Sequence, residues 1–117
     1  MGFKFEKLEV WELALQYADL IYEIAKQLPR TEEYNLKGQI VRAATSIALN
    51  IAEGSTSQSD AEQGRFVGMA LRSCVETVAC LHLIKRRKYV PEGLFDGAHS
   101  FAEKLFAKLQ AFRRSLD

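Results

Sequence analysis

The sequence predicts an all-α protein, an antiparallel up-down-up-down four-helix bundle forming a single domain over residues 1–117. Three observations predict it. Four segments carry apolar residues at helical spacing, the breaks between them are short and rich in Pro, Gly, Ser and Asn, and no segment alternates with the period of a strand. With 48% apolar and 26% charged side chains, the chain has ordinary globular composition and is long enough for one core.

The first helix is expected from about Lys7 to Leu28, ended by Pro29. At 100° per residue, Glu9, Glu12, Gln16, Asp19 and Glu23 share one side, and roughly 240° of arc is left to apolar residues. One core cannot use so wide an arc, so the helix is expected to face both the bundle and another subunit. Val10, Leu13, Tyr17, Leu20 and Ile24 are the candidate oligomer interface. The second helix, Leu36 to Gly54, follows Asn35 as N-cap and is expected to stop at its glycine. Arg42, Ser46, Asn50 and Glu53 form a narrow polar strip on a helix otherwise apolar on most sides. Joined by Glu76 of the next helix, the strip is either a hydrogen-bonded network that fixes helix register or a ligand pocket. The need to satisfy buried polar groups favours the network.

Ser59-Asp60-Ala61-Glu62 has the pattern of a capping box and starts the third helix, which runs to about Lys88. Phe66, Val67, Ala70, Leu71, Cys74, Val78, Leu81 and Ile84 are expected to form its inner face, and Gly64 and Gly68 read as close-packing positions. Pro91 opens the fourth helix, whose apolar residues from Leu94 to Leu116 occupy only about 100° of arc and need one neighbouring layer.

Several kinds of chemistry are argued against. His82 and His99 lack the Glu-x-x-His pattern of bundle metal sites, no glycine-rich phosphate loop is present, and Ser46 and Ser73 have no histidine nearby in sequence. No cofactor, no metal and no enzymatic activity are expected. Without an apolar run of some 18 residues or a signal-like N-terminus, the expectation is a cytoplasmic protein with no membrane partner. Cys74 and Cys80 stand about 9 Å apart along one helix and on different faces, so they read as packing cysteines.

The formal charge of +1 conceals an asymmetry: residues 1–62 hold 6 basic and 10 acidic side chains, residues 63–117 hold 10 and 5. Lys85, Arg86, Arg87 and Lys88, with Lys104, Lys108, Arg113 and Arg114 on the helix that packs back, are the candidate nucleic-acid-binding residues.

The string RAATSIALNIAEG, followed eleven residues later by RFVGMALRSCVET, closely resembles the four-helix-bundle family of 23S rRNA intervening-sequence proteins. The resemblance covers nearly the whole chain. Arg42, Ser46, Asn50, Glu53 and Gly54 match the family's central motif, and Arg65, Phe66, Ala70, Ser73 and Glu76 its third-helix motif. Ser57 stands where members often carry arginine, and Arg72 where they often carry glycine. The family is similar in turn to the accessory variability determinant of diversity-generating retroelements. That likeness implies a homopentameric ring and, as partners, RNA or DNA or a nucleic-acid enzyme such as a reverse transcriptase. The resulting reading is a non-enzymatic homo-oligomer that binds nucleic acid or a nucleic-acid enzyme through its basic half. A protein-interaction scaffold is the alternative, and a small enzyme stands third.

Overall fold

The computed structural model describes residues 2–117. Four helices fold as expected into an all-α bundle: α1 (Glu9–Lys26), α2 (Leu36–Gly54), α3 (Asp60–Arg86) and α4 (Glu92–Ser115). Short 3-10 turns cover Lys4–Lys7 and Arg30–Glu32. Each helix packs on the next, and α1 closes the bundle against α4. At 1.5 Å per residue, the 27 residues of α3 span about 40 Å, which accounts for the long dimension of 44 Å. α3 is also long and apolar enough to cross a membrane. Its apolar face, however, is occupied by α2 and α4, as in a core helix.

The ends of the helices show how local sequence sets boundaries. Ser59 caps α3 as its pattern predicts, its Oγ accepting the Glu62 N–H at 3.1 Å. Asn35 holds the N-cap position of α2 as expected, but its side chain makes no capping bond to the helix backbone. Its Nδ2 instead donates to Glu32 Oε1 at 3.0 Å, and its Oδ1 accepts from Gln39 Nε2 at 3.0 Å. Gly54 does not end α2 by turning left-handed either, because no glycine has positive φ among the described residues and Ser55 stays right-handed. Its reason is space: a Cβ there would sit 2.8 Å from Cβ of Phe66 on α3. The left-handed residue lies at the end of α3 instead, at Lys88 (φ 59°). Lys88 N donates to Lys85 O at 2.9 Å and Tyr89 N to Ile84 O at 3.2 Å, the paired bonds of a Schellman stop.

The core is built from branched aliphatic residues, among them Ile21, Ile40, Ile47, Ile51, Leu81 and Leu105, each almost fully buried. One polar pair lies within it. Tyr17 and Thr77 are both 0% exposed, with their hydroxyls 2.7 Å apart, and Thr77 Oγ1 donates to Cys74 O at 2.6 Å. Thr77 has one proton, so Tyr17 donates to Thr77. Burial holds the Tyr17 phenol above its ordinary range. Cys74 and Cys80 are free and buried; burial raises the Cys74 thiol to about 11 and also raises Cys80, aided by the Glu76 carboxylate.

The expected interface on α1 is corrected here. Val10, Leu13, Tyr17 and Ile24 are buried within the protomer's own core, and Leu20 is half-buried. α1 has neighbours on two sides, α2 and α4, and these account for most of its wide apolar arc. What remains outside is the strip of Leu15 and Tyr22, with Leu49 exposed on the neighbouring α2.

Candidate functional site

The polar strip of α2 contracts on folding. Asn50 Nδ2 donates to Ser46 O at 2.9 Å and to Ser46 Oγ at 3.0 Å, and Ser73 Oγ of α3 donates to Ser46 Oγ at 2.9 Å. Ser46 and Asn50 are therefore joined as a network requires, and Ser73 is a member that the helical projection does not reveal. Arg42, Glu53 and Glu76 are not joined to it. All three side chains face solvent and form no side-chain hydrogen bond or ion pair among the described residues. Within the strip only Ser46 is bonded across to α3, through Ser73; Asn50 turns back onto Ser46 of its own helix, and the longer charged side chains extend into water.

The eight basic candidates do not make one patch. Lys85, Arg86, Arg87 and Lys88 are exposed at the C-terminal end of α3, beside the start of α4. Lys85, Arg86 and Lys88 line an open cleft of about 660 Å³ with His82, Val90 and Glu92. Lys85 Nζ also lies 4.4 Å from the centre of the Phe95 ring, a cation–π contact. Because α4 runs back antiparallel to α3, its residues Arg113 and Arg114 fall about 30 Å further along the bundle at 1.5 Å per residue. Lys108 turns the other way and pairs with Glu9 of α1 at 3.4 Å, while Lys104 Nζ sits 5.7 Å from the Phe101 ring. The four α4 residues thus serve different faces.

Arg113 instead lines a cleft with two arginines that the charge pattern alone does not single out. Arg65, Arg72 and Arg113 line a cleft of about 590 Å³ whose floor includes Gly64 and Gly68 and whose walls include Asp60 and Asp117. The close packing expected at these glycines is found at one of them. Nothing approaches Gly64, whereas at Gly68 the Arg113 guanidinium of α4 packs so closely that its Cζ, Nη1 and Nη2 lie 3.2–3.3 Å from where a Cβ would stand. The spacing Arg65, Gly68, Arg72 is three and four residues, one helix face, and that is the signal the sequence offers.

At the opposite end, the two connectors are fastened together. Tyr89 Oη donates to Glu32 Oε2 at 2.9 Å, across 57 residues of sequence. That bond holds the Glu32 carboxyl below its ordinary range, assisted by Asn35 and by the nearby Arg87 charge, and raises the Tyr89 phenol. The basic run therefore ends at an anchored turn.

The sequence model of the 23S rRNA-intervening sequence proteins matches residues 6–111. The chain belongs to that family. Among solved structures, this intervening-sequence protein is similar to a protein of unknown function from the S23 ribosomal protein family of Bacteroides thetaiotaomicron. The two share 27% identity with a TM-score of 0.82, over 89% of this chain and 97% of that one. No curated protein matches the chain. The likeness spans all four helices, and neither description assigns a catalytic activity.

Proposed function

We propose that this intervening-sequence protein is a non-enzymatic, cytoplasmic homo-oligomer that binds structured RNA through its basic helix end. The observation that carries the reading is the run Lys85, Arg86, Arg87, Lys88: four exposed cations held at an anchored turn, none ion-paired among the described residues. Clustered cations of this kind gain affinity by displacing counterions from phosphates. RNA is preferred to DNA because the family's description names 23S rRNA and the structural neighbour's names a ribosomal protein family. Assembly, with the five-membered ring implied by resemblance, is supported by Leu15, Tyr22 and Leu49, which are 38%, 47% and 53% exposed.

Fluorescence anisotropy with an RNA duplex tests the binding. Affinity is expected to fall steeply between about 50 and 200 mM salt, and replacing Lys85, Arg86, Arg87 and Lys88 by Gln should flatten that slope. Absence of binding at about 50 mM salt overturns the reading. Light scattering tests the assembly, and a monomer mass refutes it. A protein-interaction scaffold is the second reading, favoured by Val75 and Leu83 of α3, which are 55% and 53% exposed.

A further inference from the structure

We infer that the arginine cleft between α3 and α4 is a second phosphate-binding site, which seats one backbone segment of the same RNA at a distance from the Lys85–Lys88 run. The inference rests on the RNA-binding reading and adds a site to it. Three features of the cleft point to a phosphodiester.

The first is uncompensated charge. Arg65, Arg72 and Arg113 converge on one cleft, Arg114 borders the adjoining hollow with Asp117, and no ion pair within 4 Å joins any of them to a carboxylate among the described residues. Against these four cations stand Asp60 and Asp117 on the walls, which leaves the cleft positive. The second is the way two guanidiniums are held. Arg113 lies against Gly68, and Arg65 Cζ is 5.5 Å from the centre of the Phe66 ring. Such packing restrains a guanidinium while leaving N–H groups available to an anion, and the planar fork of arginine suits phosphate oxygens in pairs. The third is room. Gly64 has nothing within 4 Å of a Cβ position, so beside the Arg113 guanidinium on Gly68 the helix backbone at Gly64 is bare and a phosphate can approach it. A set of arginines balanced only by solvent would need neither the bare backbone nor the convergence from two helices.

Arg72 and Lys85 are 13 residues apart on α3, so the two sites lie about 20 Å or more apart along the bundle. That separation fits two points of attachment on one duplex better than two on one nucleotide.

The test uses the full-length protein and a hairpin RNA of about 20 base pairs, with binding followed by anisotropy over a salt series. The combined variant Arg65→Gln, Arg72→Gln, Arg113→Gln should lower the slope of log affinity against log salt by about 2 to 3, near one for each phosphate no longer neutralised. Gly68→Leu keeps every charge but displaces the Arg113 guanidinium from its seat, and should weaken binding at least about tenfold, the size of one charge-assisted hydrogen bond to phosphate. The substituted arginines are on the surface, so circular dichroism and light scattering should match the parent protein. If the parent binds and the arginine variant keeps the full slope, this second site is refuted while the lysine-run reading stands. If the parent does not bind RNA at low salt, both fall. Protection of Arg65, Arg72 and Arg113 from a dicarbonyl reagent by the RNA, read by mass spectrometry, gives a direct check; equal modification with and without RNA overturns the site.

Discussion

The Tyr17–Thr77 pair makes an unequal prediction about its two halves. Tyr17→Phe removes the donor, yet Thr77 keeps its own bond to Cys74 O. The loss is one neutral hydrogen bond, about 1 kcal/mol. Thr77→Val removes the acceptor and leaves the Tyr17 hydroxyl fully buried with no partner, which costs about 1 to 3 kcal/mol for the stranded group. The double variant strands nothing and should recover most of the damage done by Thr77→Val. A double-mutant cycle by urea or thermal denaturation measures the coupling, and at roughly 4 °C per kcal/mol the single variants are separable by melting. Alkaline titration adds a second axis. The folded phenol ionises above its unfolded value of about 10, so stability is fully present below pH 10 and declines as pH rises beyond it, a slope that Tyr17→Phe should reduce. Additive single effects, with Thr77→Val no worse than Tyr17→Phe, would refute the reasoning, because the hydroxyl would then have found water inside the packed core.

On the acid side, the folded Glu32 carboxyl lies below its ordinary value of 4.5, so its contribution is present above that pH and is lost as pH falls through the lower folded value. Glu32→Gln or Tyr89→Phe should diminish this acid sensitivity in a pH series of melts. Lys88→Gly should stabilise by about 0.5 to 1 kcal/mol, because glycine adopts the left-handed stop of α3 without a Cβ penalty; a lower melting temperature would contradict the Schellman assignment. Gly54→Ala should destabilise by about 1 to 3 kcal/mol by forcing α2 off Phe66. Gly64→Ala, in open space within a helix, should stabilise by about 1 kcal/mol. Equal effects at the two glycines would show that propensity, not packing, governs both.

What the sequence makes legible follows the range of the physics involved. The four helices, the Ser59 cap and most of the inner face of α3 depend on residues a few positions apart and appear as read; Phe66 and Val78, at the edge of that face, are only partly buried. The errors concern where neighbours stand. A helical projection gives the width of the apolar arc of α1 but not that α2 and α4 flank it, so it places Val10 and Leu13 on the outside. The eight basic residues look like one cluster until the antiparallel return of α4 carries Arg113 to the far end and turns Lys108 toward Glu9. Gly54 has the position of a helix stop, and only the approach of Phe66 shows that it is a point of close packing. The polar strip is visible in sequence, but which members find a partner depends on what α3 sets beside them. Ser46 meets Ser73 and Asn50 folds back onto Ser46, whereas Arg42, Glu53 and Glu76 point to water.

Cys74 and Cys80 give the bundle a built-in reporter. Thiol reagents attack the thiolate, and both thiols are shielded by packing while their ionisation is driven up, Cys74 to about 11. At neutral pH the folded protein therefore behaves toward alkylating reagents as if it had no cysteine. A single cysteine introduced on an outer face can carry a fluorophore or spin label without first removing the native pair. Slow alkylation of that pair, in turn, counts the excursions in which the core of α3 opens to solvent.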